Sequence, residues 1–357
     1  ALISCSPTID LEYRAKELQA GLARIGVTCA IVGDEATDWQ GPKLDAYERD
    51  HHVVLLTARL GDSNWARRAM GRADRVWLLA RGDARPSVPL LPDDPSPAAR
   101  LKLLDVVLVH DGGKSPASRP QDWADAAEAA RVFHWRQERN DDLARLARTL
   151  AGRSVGLVLS GGGARAYAHI GAVEAFRNAG MQFDFIGGAS MGAIIAAGVA
   201  LEWSQEELVD RVRDAFVSSN PLGDWQLPVI SLARGNRVDE RLEEHFGNIE
   251  ISDLPRPFFC VSSNLSNGRP FVHRRGRLRD ALRATIAIPG ILPPVIDGEN
   301  VLVDGAVFTN FPSEQMKAFH RGVSAGSDVT RARGVNPDDF RDPPGFFGWV
   351  RKNGFNE

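Results

Sequence analysis

The sequence of 357 residues predicts an α/β protein made of two successive parallel-sheet units. Two observations indicate this class. Short apolar runs alternate with amphipathic stretches through the first 110 residues, which is typical of βαβ units. From Ser154 onward a buried strand, VGLVLS, is followed by a glycine turn and a second helical stretch. At about 150 residues per domain, the length also favours two domains.

The first unit, residues 1–113, is predicted to be a Rossmann-like α/β domain. Its first amphipathic stretch, LEYRAKELQAGLARIG, ends at Gly26. None of the strand ends carries a phosphate loop or a dinucleotide fingerprint, so we expect this unit to support the second one structurally. The apolar runs predicted as strands are Leu2–Cys5, Thr28–Val32, Val53–Thr57, Val76–Ala80 and Val106–Val109.

Residues 114–153 are predicted to be a linker and helix between the two domains. The stretch from Asp122 to Leu150 is rich in Ala, Arg and acidic residues, which favours helix. His134 and Trp135 interrupt this pattern, and Asn140 is placed to cap a second helix. We therefore assign residues 154–357 to the second domain.

Composition excludes several classes of protein. With 43% hydrophobic and 25% charged residues, the chain is neither disordered nor fibrous. A net charge of −3 argues against a nucleic-acid partner. The three cysteines have no metal-ligand spacing, which argues against a disulfide scaffold or a structural zinc site and fits a reducing compartment. No signal peptide is visible, and the missing initiator Met indicates a piece of a longer chain.

One uncharged segment, residues 185–201, resembles a membrane span in composition. A spanning helix needs about 20 apolar residues, whereas this run of 17 opens with a glycine-rich turn. The pattern therefore predicts a buried strand that runs into a buried helix.

A glycine loop, Gly161-Gly162-Gly163-Ala164-Arg165-Ala166, follows the first strand of the second domain. A strand, a glycine turn and a helix together point backbone N–H groups at an anion. The loop also satisfies the G-x-G-x-x-A dinucleotide fingerprint. However, the next strand does not end in the acidic residue that binds a ribose, because Asp184 stands at its start.

That next strand ends in Gly188-Ala189-Ser190-Met191-Gly192, a G-x-S-x-G nucleophile elbow. The glycines allow a sharp turn that is expected to hold the Ser190 oxygen in the open at a helix N-terminus. Attack of this oxygen on an ester creates an oxyanion, which needs preorganised donors. The amides of Gly161, Gly162 and Gly163 can supply them, and the Arg165 side chain is a further candidate.

A third motif, Asp304-Gly305-Ala306, follows the strand-like run Val301–Val303. With the glycine loop and the elbow, it makes residues 154 to about 330 resemble a patatin-like phospholipase domain. The marks of that family are a glycine-rich oxyanion loop, G-x-S-x-G and D-G-G/A, in this order on a three-layer α/β/α fold. The segment RATIAIPGILPPV before Asp304 resembles the family as well. Ala166 stands where the family usually has Gly.

The stretch LARLARTLAGRSVGLVLSGGGARAYAHIGAVEA most resembles bacterial relatives of neuropathy target esterase. The resemblance implies a serine acyl hydrolase that cleaves fatty-acyl esters of phospholipids or lysophospholipids without a metal or cofactor. It implies Ser190 as nucleophile and Asp304 as base. It also implies a cyclic-nucleotide-binding domain upstream of this chain.

Two alternatives remain open at this point. A Ser-Asp-His triad would take its histidine from His320, since this is the histidine that follows Asp304 in the chain. A non-catalytic module would use the glycine loop to bind a nucleotide or phosphate, and its first domain for assembly. Labelling by a fluorophosphonate separates a hydrolase from such a module.

Two segments suggest peripheral membrane contact of a cytoplasmic protein. Residues 273–279 are strongly basic and follow an Asn267-Gly268 hairpin signal. Residues 343–352 join Phe346, Phe347 and Trp349 to two cations, a composition typical of interfacial anchors.

Overall fold

A computed structural model of the protein describes residues 1–61, 63–87, 90, 103–112, 119–219, 221–226 and 230–330. The strands within these ranges are Leu2–Ser4 (β1), Cys29–Val32 (β2), Val53–Arg59 (β3), Arg75–Arg81 (β4), Leu103–His110 (β5), Arg131–Arg136 (β6), Val155–Leu159 (β7), Phe185–Ala189 (β8), Phe258–Asn264 (β9), Arg269–His273 (β10), Val295–Asp297 (β11), Asn300–Asp304 (β12) and Val323–Ser327 (β13). The α-helices are Leu11–Arg24 (α1), Gly41–Asp50 (α2), Asn64–Arg72 (α3), Pro120–Ala127 (α4), Asn140–Leu150 (α5), Ala168–Asn178 (α6), Ser190–Ala200 (α7), Gln205–Arg213 (α8), Asn236–Phe246 (α9), Leu278–Thr285 (α10) and Ser313–Phe319 (α11).

The first unit is a six-stranded sheet with the order β2-β3-β1-β4-β5-β6, in which every pairing is parallel. The five apolar runs predicted as strands are confirmed as β1 to β5. Apolar side chains of α1 and α5 cover one face of the sheet, and those of α2, α3 and α4 cover the other.

The predicted helix over residues 122–150 is wrong in its centre. Residues 131–136 form β6, which pairs in parallel with β5 and extends the first sheet beyond residue 113. The buried face of this strand carries Phe133 and Trp135. The helical composition on either side belongs to α4 and α5, which flank the strand.

The second unit is a seven-stranded mixed sheet with the order β11-β12-β9-β8-β7-β13, in which β10 pairs with the other edge of β9. Helices α6 to α10 pack on one face through a large apolar cluster. The other face packs against α11 and α5. The predicted α/β class and three-layer arrangement are confirmed. The uncharged segment 185–201 is β8 running into the buried helix α7, as predicted.

The two sheets share one apolar core. Trp77 and Phe133 of the first sheet lie in the same cluster as Phe185 and Phe259 of the second. Between them, the Arg131 guanidinium donates to the Phe319 carbonyl oxygen at 2.9 Å and pairs with Asp105. His134 lies 2.8 Å from the Ser252 carbonyl oxygen, which belongs to the second unit.

Candidate active site

Ser190 lies on a tight turn between β8 and α7, as the elbow motif predicts. Its φ of +51° is in the left-handed region, which a residue other than glycine rarely adopts. Glycine is required on both sides of it. A Cβ at Gly188 would come within 2.9 Å of the Ala193 amide nitrogen, and one at Gly192 within 2.2 Å of the Ser160 carbonyl oxygen. The turn therefore accepts no larger residue at either position.

The expectation that Ser190 stands in the open is wrong, since this residue is only 4% exposed. The glycine loop covers it from one side, because a Cβ at Gly161 would lie 3.0 Å from the Ser190 Cβ. The backbone amide of Ser190 is occupied as well. It donates to the Thr285 Oγ1 at 2.9 Å, and that hydroxyl donates to the Val261 carbonyl oxygen.

The register of β9 brings Asp304 to Ser190. Val261 of β9 pairs with Ala189 of β8, and the next residue, Ser262, pairs with Asp304 of β12. Strand β10 pairs with the same two β9 residues, Val261 and Ser262, along the opposite edge of β9. Strands β8 and β12 therefore share one edge of β9 and meet end to end. The Ser190 Oγ donates to the Asp304 Oδ2 at 2.6 Å, although the two residues are 114 positions apart in the chain.

The Asp304 carboxylate has a defined environment. Its Oδ1 accepts a hydrogen bond from the Ala306 amide at 2.8 Å, and the residue is 3% exposed. Burial raises the pKa of this carboxyl above its ordinary value, while the hydrogen bonds from Ser190 and Ala306 act in the opposite direction. A raised pKa makes Asp304 a stronger base than an aspartate in water. Gly305 permits the turn, because a Cβ there would lie 2.3 Å from the Val261 carbonyl oxygen.

Asn310 holds the glycine loop through two hydrogen bonds to the backbone of Gly161. The Gly161 amide donates to the Asn310 carbonyl oxygen at 3.0 Å, and the Asn310 Nδ2 donates to the Gly161 carbonyl oxygen at 3.2 Å. The Gly161 amide is therefore engaged and does not serve as the predicted oxyanion donor. Within the part of the chain that the structure describes, the amides of Gly162 and Gly163 donate to no acceptor.

The rest of the loop is anchored by His169, which is fully buried. Its Nε2 lies 2.8 Å from the Ser160 carbonyl oxygen and its Nδ1 lies 2.9 Å from the Ser327 Oγ. Burial lowers the pKa of this imidazole. Ala166 is buried in the core beside β7, so its methyl group fits where the family usually has glycine. Arg165 is exposed, and its guanidinium makes no hydrogen bond or ion pair among the described residues.

The triad that would use His320 is wrong. His320 is buried at the other end of the sheet, where its Nδ1 lies 3.2 Å from the Ser154 Oγ and its ring stacks on Phe185 at 4.9 Å. Both of those residues stand at the starts of parallel strands, whereas Ser190 follows the end of β8. The five residues of β8 at about 3.3 Å each separate the two positions.

The remaining acidic candidates have structural roles. The Asp184 carboxylate pairs with Arg148 at 2.7 Å and accepts from the Val155 amide at 3.0 Å, so it has no free side for a ribose. Asp297 ends β11, and the following turn leads directly into β12, so this residue belongs to a hairpin. Away from this site, Asp214, Glu244 and His245 place one ligand atom each within 4.8 Å of one another on the surface.

The basic segment 273–279 lies at the strand-start end of the second sheet. The Arg274 guanidinium stacks over the Phe319 ring at 5.0 Å, next to His320. Three other arginines face acids: Arg275 with Asp125, Arg277 with Asp280, and Arg279 with Glu243. The second predicted anchor, residues 343–352, lies outside the described residues. In the described ranges, no helix combines the length and the apolar character that crossing a bilayer requires.

Known proteins resemble this chain over the region of the site. Residues 157–317 match the family model of the Patatin-like phospholipases. An uncharacterized NTE family protein of Mycobacterium tuberculosis, Rv2565, is 37% identical over 299 residues, covering 84% of this chain and 49% of that protein. This chain thus spans about half the length of that relative.

Two eukaryotic proteins are similar as well. Patatin-like phospholipase domain-containing protein 6 of Homo sapiens is 28% identical over 362 residues, covering 88% of this chain and 26% of that protein. Lysophospholipase NTE1 of Yarrowia lipolytica is 31% identical over 231 residues, covering 64% of this chain and 16% of that protein.

Proposed function

Because residues 157–317 belong to the patatin-like phospholipase family, we propose that this chain is a serine acyl hydrolase that cleaves fatty-acyl esters of phospholipids or lysophospholipids. The observation that carries the proposal is the 2.6 Å hydrogen bond from the Ser190 Oγ to the Asp304 Oδ2. This geometry supports the proposal, because a serine hydroxyl within hydrogen-bond reach of a buried carboxylate can be activated as a nucleophile by that base.

In the proposed first step the Ser190 oxygen attacks the ester carbonyl carbon while the Asp304 carboxylate takes the hydroxyl proton. The protonated Asp304 then gives this proton to the departing alkoxide, which leaves as a lysophospholipid or a glycerophosphodiester. In the second step Asp304 takes a proton from water while the water oxygen attacks the carbonyl carbon of the acyl-enzyme. The bond between this carbon and the Ser190 oxygen then breaks, the fatty acid leaves, and Asp304 returns the proton to the Ser190 oxygen. The raised pKa of Asp304 supports the proton transfer in both steps.

The tetrahedral intermediates carry an oxyanion, for which we propose the amides of Gly162 and Gly163 as donors. They belong to the loop that lies against the Ser190 Cβ, and neither has an acceptor within the described residues. One such donor is worth about 10²–10³ in kcat. Arg165 belongs to the same loop and is exposed, and we propose that its guanidinium pairs with an anionic part of the substrate.

The substrate class is proposed from two sources. One relative is named a lysophospholipase, and another a patatin-like phospholipase domain-containing protein. In this chain, Val307 and Phe308 directly follow the Asp304 motif and remain 47% and 43% exposed. Apolar side chains at this edge of the site suit an acyl chain or a lipid surface. The predicted cyclic-nucleotide-binding domain upstream stays a prediction.

Labelling with a fluorophosphonate tests the proposed function. We expect the wild-type chain to be labelled at one serine and to hydrolyse p-nitrophenyl esters. The Ser190→Ala variant is expected to lose both properties and keep its melting temperature, because the change removes a single oxygen. Ser204→Ala is the matched control, since Ser204 is exposed, caps α8 and has no buried carboxylate beside it.

Two results would contradict the proposal. Labelling of Ser190→Ala at the wild-type rate would show that the nucleophile is another residue. A folded wild-type chain that is neither labelled nor hydrolytic would favour the non-catalytic module that binds phosphate through the glycine loop. Isothermal titration with inorganic phosphate then measures that binding.

A further inference from the structure

We propose that Thr285 is a positioning residue that fixes the nucleophile, an inference that rests on the proposed role of Ser190. The Thr285 side chain is fully buried at the C-terminal end of α10, where it contacts the elbow. Its Oγ1 accepts a hydrogen bond from the Ser190 backbone amide at 2.9 Å and donates a hydrogen bond to the Val261 carbonyl oxygen. A hydroxyl has one proton, so donation to Val261 turns a lone pair toward the Ser190 amide.

The anchor is rigid because Val261 belongs to the centre of the sheet. This residue pairs with Ala189, the last residue of β8, and is itself fully buried. Thr285 therefore ties the backbone of Ser190 to the strand beside its own. The bond also keeps the Ser190 amide out of the oxyanion hole, which leaves that task to the glycine loop.

The same short segment positions Asp304. Two residues after Thr285, the Ala287 carbonyl oxygen accepts the Asp304 backbone amide at 2.9 Å. Residues 285–287 thus hold the main chain at both members of the Ser190–Asp304 pair. Neither contact involves the reacting atoms, so this segment acts on the distance between the two side chains and not on the chemistry itself.

The conformation of Ser190 makes such a support necessary. The positive φ of this residue is strained for any side chain larger than hydrogen. Its amide is buried, and a buried amide without an acceptor is unfavourable. If the acceptor at position 285 is removed, rotation of the Ser190 amide toward another acceptor becomes favourable. The Ser190 Oγ then moves together with the rotated backbone.

Replacement of Thr285 by the isosteric valine tests the inference. We expect Thr285→Val to lower kcat for a p-nitrophenyl ester by about 10²-fold, the effect of misplacing a catalytic group by about 1 Å. The KM is expected to stay within about threefold, because no substrate contact changes. The rate of fluorophosphonate labelling should fall in parallel with kcat. The acid limb of the kcat profile should not move, because Asp304 keeps its burial and its hydrogen bond from Ala306.

Two further variants serve as controls. Thr285→Ser keeps the acceptor and the donor, and is expected to restore kcat to within about fivefold of wild type. Thr149→Val is the matched control for a buried threonine that becomes valine, since the Thr149 Oγ1 is buried without a hydrogen-bond partner. We expect this variant to keep full activity, because Thr149 lies on α5, away from the elbow.

The outcomes separate this inference from the proposed function. A wild-type chain that is not labelled contradicts the proposed function, whatever Thr285 does. A labelled wild type together with a folded Thr285→Val variant of unchanged kcat overturns the positioning role alone. Equal losses in Thr285→Val and Thr285→Ser also overturn it, because the hydroxyl that serine keeps would then have no effect on kcat. If Thr285→Val does not fold, Thr285→Cys replaces it, and a kcat equal to that of Thr285→Ser overturns the inference.

Discussion

In the proposed mechanism, the protonation state of the Asp304 carboxylate decides the chemistry of the site. Among the described residues, this carboxylate accepts hydrogen bonds from the Ser190 hydroxyl and the Ala306 amide, and from no histidine. Burial disfavours its charge, and two hydrogen bonds partly restore it. The net result is a raised pKa, which makes this carboxylate a stronger base than an aspartate in water.

Asp304→Asn is expected to lower kcat by about 10⁴-fold, comparable to the loss when the aspartate of a catalytic triad is replaced. His320→Gln is the matched control. It should keep kcat within a few-fold and lower the melting temperature, because His320 stacks on Phe185 in the core. A folded but inactive His320→Gln variant would contradict the two-residue assignment.

The raised pKa of Asp304 also predicts the direction in which the free energy of unfolding changes with pH. The native state binds a proton at this group more tightly than the unfolded state does, so the free energy of unfolding falls as the pH rises between the two pKa values. Asp304→Asn should therefore not lower the melting temperature at pH 7. Any increase in melting temperature over wild type should shrink as the pH is lowered toward the ordinary aspartate pKa of about 3.9. Thermal unfolding of both proteins across this pH range measures the difference. The acid limb of kcat should lie above the ordinary aspartate range for the same reason.

At this scale the sequence predicts the reacting residues but not their supports. Ser190 and Asp304 belong to local motifs of three to five residues, which a linear pattern can display. Thr285 and Asn310 act through hydrogen bonds to the main chain of residues that are 95 and 149 positions away. A hydrogen bond to a backbone atom does not depend on the residue type of the partner, so no sequence pattern indicates it. Supporting residues of this kind can be identified only in the folded structure. The burial of Ser190 escaped prediction for the same reason.

Among the elements, β6 shows how composition misleads. The segment RVFHWR lies between an Ala-rich helix and one rich in both Ala and Arg, and its polar residues hide the strand pattern. Arg131 and His134 are nevertheless buried, because Asp105 and the Ser252 carbonyl oxygen satisfy them. Each of these partners is distant in the chain. His134, and Arg131 through the Phe319 carbonyl oxygen, thus join β6 to the second unit.

The buried pair of Arg131 and Asp105 is expected to be essential for stability. Asp105→Asn leaves a buried guanidinium uncompensated and should cost about 3–5 kcal/mol in the free energy of unfolding. Combining Asp105→Leu with Arg131→Met should recover part of this loss, since neither charge remains. Urea unfolding measures both. Glu12→Gln is the control, because the pair of Glu12 and Lys16 is exposed and its loss should leave the urea midpoint almost unchanged. A loss below about 1 kcal/mol for Asp105→Asn would contradict the role of the pair.

In the molecule as a whole, the two ends of the second sheet differ. Ser190 and Asp304 lie at the end where β8 stops, with exposed Ile288, Val307 and Phe308 on the adjoining turns. The basic segment 273–279 lies toward the opposite end, and several of its arginines face acids. A lipid surface that delivers substrate to Ser190 would therefore meet apolar side chains first. We accordingly place the proposed peripheral membrane contact at the apolar end.

The double variant Val307→Ser/Phe308→Ser should reduce hydrolysis of phospholipid vesicles by at least about tenfold. Full burial of such a side chain is worth about 1.5–3 kcal/mol, and tenfold corresponds to about 1.4 kcal/mol. Hydrolysis of a monomeric p-nitrophenyl ester should change little. Val323→Ser is the matched control, because Val323 is 70% exposed at the start of β13, at the other end of the sheet. Equal losses on vesicles for the control and the double variant, or a vesicle effect of Arg275→Glu alone, would contradict this placement.

Because β8 and β12 meet on one edge of β9, the proposed pair of Ser190 and Asp304 can form only after both strands have been synthesised. The ribosome must add 114 residues after Ser190 before it reaches Asp304. At about 5–20 residues per second this takes roughly 6 to 23 s. During that interval the nascent chain carries the proposed nucleophile without its proposed base, so we expect it to have no hydrolase activity. In refolding, pairing over such a long separation is slow compared with local helix and strand formation. Recovery of hydrolysis should therefore report completion of the sheet, and lag behind the return of secondary structure.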